Sequence, residues 1–171
     1  MTRRAEARCD LKFDSLLRVD NRDLHWAAGE VAYEMEMLRA ALRALDEMPD
    51  DEVSNLVAEA LLLHVRNLLS FFYPANRHSD DIVAEDFASD WRSARPNAST
   101  VKFGRYDLRV LRQNLNRRLA HLSHDRPQKD PERNFWDIRA VARDMNELFE
   151  MFVQSLPDEM AASFTYRYPS A

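Results

Sequence analysis

DLHWAAGEVAYEMEMLRAALRALDEM, residues 23–48, decides the fold class. Leu24, Ala28, Val31, Met35, Leu38, Leu42 and Leu45 recur in it at alternating steps of four and three. That spacing lines one face of a helix and suits the seam of a bundle. Asp23 stands where an N-cap belongs, and Pro49 ends the run. The residues between (Glu30, Glu34, Glu36, Arg39 and Arg43) read as a solvated face.

The same reading extends along the chain. A second helix is expected over 50–73, stopped by Pro74. Its apolar residues, among them Leu56, Val57, Leu61, Leu62, Leu63, Val65, Leu68 and Leu69, nearly encircle it, which predicts a helix surrounded by other elements. His64 falls in the row of Val57, Leu61 and Leu68 and reads as a hydrogen-bonded core histidine. Residues 75–104 are the least regular. SDDIVAEDF predicts a short helix capped by Ser79 or Asp80, and Trp91, Pro96 and the NAST cluster read as loop. A third long helix is expected from about Arg105 to Ser123 and a fourth from about Pro131 to Leu156, with Asp130 as its cap. Phe135, Ile138, Ala142, Met145, Phe149, Phe152 and Leu156 give the last helix its apolar stripe.

The expected fold is therefore all-α. It is an antiparallel four-helix bundle over 23–156, with a long irregular connection between helices 2 and 3, an N-terminal arm over 1–22 and a C-terminal tail over 157–171. Composition agrees. The chain of 171 residues contains two glycines, too few for the tight turns of a sheet protein. Cys9 is the single cysteine, so no intrachain disulfide forms. The N-terminal residues carry charge and no apolar core, which reads as no secretory signal. No apolar run is long enough for a membrane span, and a reducing cytoplasm is the expected setting.

Function turns on NRRLAHLSHD, residues 116–125. On a helical wheel centred on Leu115, Leu108, Leu111, Leu119 and Leu122 fall within about 40° and form the core stripe. Arg117, His121 and His124 fall at roughly 200°, 240° and 180°, on the opposite face. Val110 and Asn114 lie alongside. From Val101 to Arg126 seven basic residues stand against two acidic ones, a balance of +5 in a chain of net charge −5. An anionic ligand would be attracted here and repelled elsewhere. The overall acidity argues against broad nucleic-acid binding, and no DNA partner is expected.

Arginine grips phosphate oxygens with its planar fork and stabilises charge in a transition state. Histidine moves protons near neutral pH. An arginine followed after a short spacer by a histidine, late in a long bundle helix, resembles the HEPN family. Arg117 to His124 and Arg118 to His124 both fit that pattern. A second alignment matches RLAH and places His121 at the family histidine, with Asn116 in the arginine place. The chain is also similar to uncharacterised bacterial helical proteins that carry LLLHxRN early and AHLxxxR late, a likeness that implies no activity.

The HEPN resemblance implies a metal-independent endoribonuclease, often dimeric. Arg117, His121 and His124 are the expected catalytic residues, and Asn114, Arg118 and Arg112 the expected binding residues. RNA and a second copy of the chain are the expected partners, with no cofactor. His121 and His124 at i, i+3 suit one metal ion, but the Glu-x-x-His pattern of di-iron bundles is absent and no metal is expected. The other open reading is a non-enzymatic module. It would dimerise or dock a partner helix through the Trp91 loop or the aromatic FTYRYP terminus.

Overall fold

The computed structural model describes residues 21–49, 52–120 and 137–165. The chain is predominantly helical. Helix α1 spans Asn21–Glu47 and α2 spans Glu52–Phe72. Four residues link them, so they run antiparallel, and they share the most extensive helix–helix contact in the molecule. α1 is already helical at Asn21, two residues before the expected cap at Asp23. The N-terminal arm lies, up to residue 20, outside the described residues.

The connection after α2 differs from expectation. SDDIVAEDF forms no α-helix capped at Ser79 or Asp80, but a single 3-10 turn, Ala84–Asp86, closed by Asp86 accepting from the Val83 amide at 3.0 Å. Trp91 is not in a loop: it opens a one-turn helix, α3 (Trp91–Ala94), and is 1% exposed. This removes it as a docking element of the interaction-module reading. A two-strand hairpin follows, β1 (Lys102–Phe103) pairing antiparallel with β2 (Tyr106–Asp107). The expected third helix therefore begins three residues late, as α4 (Leu108–Leu115), and passes into a π-helical turn, Asn116–Ala120. α5 spans Ile138–Gln154, seven residues later than the expected start at Pro131. Asp130, Pro131 and Phe135 lie outside the described residues. A last turn, α6 (Asp158–Ala161), leads into a 3-10 turn ending at Phe164.

Polar pairs fix the direction of α5. Arg39 of α1 reaches Asn146 at 2.8 Å and Glu150 at 2.5 Å, while Asp46 meets Arg139 at 2.8 Å. One number rises as the other falls, so α5 is antiparallel to α1 and parallel to α2. Glu36 also pairs with Arg39, at 2.6 Å. Part of the face of α1 that reads as solvated is thus an inter-helix network.

The core centres on one ring. Phe152 of α5 lies 5.3 Å from Phe71, 5.6 Å from Phe72, 5.1 Å from Trp91 and 5.2 Å from Phe164, centroid to centroid. These contacts are edge-on, the arrangement that aromatic quadrupoles favour. They join α2, the connection, α5 and the C-terminal turn. Phe164, assigned to the tail by its position, is a buried core residue.

The hairpin docks through Gly104. Its φ of 56° is a left-handed conformation that glycine adopts without steric cost. Its amide donates to Asp144 of α5 at 2.6 Å. A Cβ here would sit 3.0 Å from Asp137 Oδ2 and 3.2 Å from Ala140 Cβ.

Two substitutions test this core. Phe152→Ala removes the shared ring and is expected to lower the unfolding free energy by about 3–5 kcal/mol in a denaturant titration. Gly104→Ala combines backbone strain with a close contact, and a loss of about 1–3 kcal/mol is expected by the same measurement.

Candidate functional site

The helix that carries the Arg/His motif starts from a well-formed cap. Asp107 is extended, and its Oδ1 accepts from the Val110 amide at 2.8 Å. Such a bond satisfies one of the amides that a helix start leaves open. Leu108, Leu111 and Leu115 are buried, as the wheel requires. Past Leu115 the turn widens to π geometry, so a uniform helical wheel no longer places the side chains. Leu119 is only partly buried against the core.

Arg117 lies within this π turn and is exposed. Asn114, one turn earlier, is half-buried. The side chain of Arg118 is outside what the structure describes, and His121 and His124 lie outside the described residues. The structure thus places one of the three expected catalytic side chains.

Arg112 has a structural partner. Its Nη2 donates to the Leu69 carbonyl at 3.2 Å. Nearby, Arg95 donates from Nη1 to the Phe72 carbonyl, stacks 4.6 Å over the Tyr73 ring and lies 3.4 Å from Glu85. A helix leaves its last carbonyls without amide partners and carries partial negative charge there. Arg95 meets that need at Phe72, while Leu69, which already accepts from the Tyr73 amide at 2.9 Å, takes Arg112 as a second donor. Burial, and then the neighbouring Arg95, lower the pKa of Arg112, while Tyr73 acts in the opposite sense. Tyr73 completes the cluster by donating its hydroxyl to the Pro96 carbonyl at 3.0 Å, and its ring meets Phe103 of the hairpin edge-on.

These contacts also orient α4. Phe103 packs at Tyr73, and Arg112 then reaches Leu69. The π turn, later still, continues to touch α2. α4 therefore runs back along α2, antiparallel to it.

A second polar cluster was not read from the sequence. Glu34 of α1 accepts from both His64, at 2.7 Å from Nδ1, and Asn67, at 3.1 Å. Each takes one carboxylate oxygen. His64 and Asn67 are the histidine and asparagine of LLLHVRN, three positions apart and so neighbours on the helix surface. The Tyr33 ring meets the imidazole edge-on at 6.2 Å. The hydrogen-bonded reading of His64 holds. Its partner Glu34, however, is an inter-helix group rather than part of a solvated face. A carboxylate on Nδ1 fixes the orientation of an imidazole. Among the described residues no hydrogen bond or ion pair joins His64 to Arg117, and no group of three His, Cys, Asp or Glu side chains is placed to hold a metal ion. No described helix is long and apolar enough to cross a membrane.

Comparison with known proteins gives no matching family model, no matching curated protein and no matching solved structure.

The Tyr73 cluster makes a pH prediction. Burial is the main cause that raises the phenol from 10.0 to about 12, against smaller lowering effects of Arg95 and Arg112. The folded state therefore keeps its proton through a range in which the unfolded state loses it. This contribution to stability is fully present below the unfolded value and is lost as pH rises through the folded one. Denaturant titrations are expected to show stability falling between pH 10.0 and about 12, with a shallower fall in Tyr73→Phe.

Proposed function

We propose that the chain is a HEPN-like four-helix bundle that cleaves RNA without a metal ion, using the segment that begins at the π turn. The observation that carries this reading is the exposed Arg117 within that turn. π turns interrupt helices at a cost and occur frequently at functional sites. The surrounding segment is the basic part of an acidic chain, so a phosphodiester is drawn here in preference to other surfaces.

The reaction follows from the residue types. One histidine, His121 or His124, takes the proton of an RNA 2′-hydroxyl. The freed oxygen attacks the adjacent phosphorus, and Arg117 holds the charge that develops on the equatorial oxygens. The other histidine protonates the leaving 5′-oxygen, whose bond to phosphorus breaks. The products are a 2′,3′-cyclic phosphate and a free 5′-hydroxyl. Asn114 and Arg118 are the remaining binding groups. Arg112 contributes from behind, by tying α4 to the end of α2.

The test is cleavage of single-stranded RNA with EDTA present, with analysis of the product ends. Cyclic phosphate ends are expected. Arg117→Ala is expected to reduce kcat by about 10²–10³. His121→Ala and His124→Ala are expected to reduce it by about 10²–10⁴ each. Equal cleavage by all three variants and the unsubstituted protein would end the reading.

One observation favours the second reading, a non-enzymatic interaction module. α2 carries large apolar side chains that face outward, Leu56 and Leu63. A protein without nuclease activity and with a specific assembly through α2 would fit that reading.

A further inference from the structure

The apolar residues of α2 exceed what its neighbours cover. Leu61, Val65, Leu68 and Phe72 are buried, and His64 faces α1 through Glu34. On the opposite side Leu56 is 67% exposed and Leu63 is 44% exposed, with exposed Ala60 between them. The steps from 56 to 60 and 63 are four and three, the spacing of a seam between two helices. Among the described residues no element covers Leu56 and Leu63, on a helix expected to be surrounded by other elements.

We infer that the stripe pairs with the same stripe of a second copy, α2 against α2 in antiparallel order about a twofold axis near Glu59 and Ala60. Two features select a second copy over an unrelated partner. First, the stripe is symmetric. An axis midway between 59 and 60 sets Leu56 of each copy against Leu63 of the other, and small Ala60 lies at the crossing, where the backbones approach most closely.

Second, the flank of the stripe is charged in a matching order. Glu52, Glu59 and Arg66 are exposed and follow one another at intervals of seven, along one edge. Antiparallel pairing brings this edge against its own copy in reverse. Glu52 then lies within one residue of Arg66 across the interface, and the contact occurs twice. The same axis sets the two exposed Glu59 carboxylates near each other, a repulsion that opposes the pairing and moderates the affinity. One helix face buries less than the roughly 800 Å² per partner of a standard interface. The dimer is therefore concentration-dependent.

This surface lies on α2, not on the α4 face around Val110, and the inference does not rest on the ribonuclease reading. Assembly is read by mass and cleavage by product ends, so failure of either is seen separately.

The test is sedimentation equilibrium of the full chain over a wide concentration range. A monomer–dimer equilibrium is expected. Leu56→Glu and Leu63→Glu are expected to weaken it by about 100-fold or more, since each places a charge in the centre of the contact. At concentrations where the unsubstituted chain is monomeric, their circular dichroism and thermal unfolding should remain unchanged, because both side chains are outside the core. Glu52→Arg and Arg66→Glu alone are expected to weaken the dimer by roughly fivefold, and the double variant to restore it. Glu59→Gln is expected to tighten it. A chain that stays monomeric at every concentration overturns the inference, as does a dimer indifferent to Leu56→Glu and Leu63→Glu. Weakening in both single charge variants without recovery in the double variant overturns the antiparallel order.

Discussion

The fold depends on the Phe152 ring. Four stretches far apart in sequence meet on it: the last turn of α2, the one-turn helix at Trp91, α5 itself and the turn at Phe164. The stretch between α2 and the hairpin, from Tyr73 to Val101, has little regular hydrogen bonding of its own. Buried Val83, Ala84, Ala88 and Trp91 anchor it instead. A connection of that length carries a large entropy cost unless it contributes side chains to the core. Trp91 and the partly buried Phe87 are such contributions. Their contact with Phe152 lets this 29-residue excursion behave as part of the body.

The second constraint is electrostatic, and it sits at the adjacent end of α2. Phe71 and Phe72 bring the last turn of this helix into the core, and a helix end leaves carbonyls without amide partners. Arg95 supplies a donor to the Phe72 carbonyl, and Arg112 adds a second donor to Leu69, which already accepts from the Tyr73 amide. Both arginines lie later in the chain than the carbonyls they serve. The end of α2 is thus completed only when the connection and α4 have docked. A buried guanidinium is unfavourable unless its charge is compensated. Here the helix terminus, the Tyr73 ring and Glu85 provide compensation together.

α1 and the body of α5 were legible from periodicity because each has one clearly apolar face and one polar face. α2 was legible as a helix, but its environment was not. Periodicity counts apolar residues without asking how many neighbours exist to cover them, and Leu56 and Leu63 look the same as Leu61 and Leu68. Glu34 and Arg39 illustrate the converse. A charged residue on a polar face reads as solvated until another helix is placed beside it. The hairpin had a signal: Gly104 is one of two glycines, and Asp107 precedes an apolar run as a cap would. The apolar period of the following helix, extended backward to Arg105, hid it. The π turn had no comparable signal, since a wheel assumes one uniform angle per residue. At the candidate site, the basic balance and the position of Arg117 on a helix were readable. The assignment of Arg112 to the end of α2 was not, because it depends on the antiparallel contact between two helices forty residues apart.

That assignment sharpens the electrostatics of the candidate site. The +5 of residues 101–126 treats every arginine as available to a ligand. Arg112 is instead half-buried, and its charge is directed toward the carbonyls of α2. Among the described side chains, the exposed cations of this helix are Arg109, at its first turn, and Arg117, in the π turn. Arg109 lies near the helix N-terminus, where the dipole already favours an anion, and stands twelve residues before His121 in the chain. Arg117 is four residues from His121 and seven from His124. If a phosphate is held and cleaved on this segment, Arg117 is the described cation whose position in the chain serves both tasks.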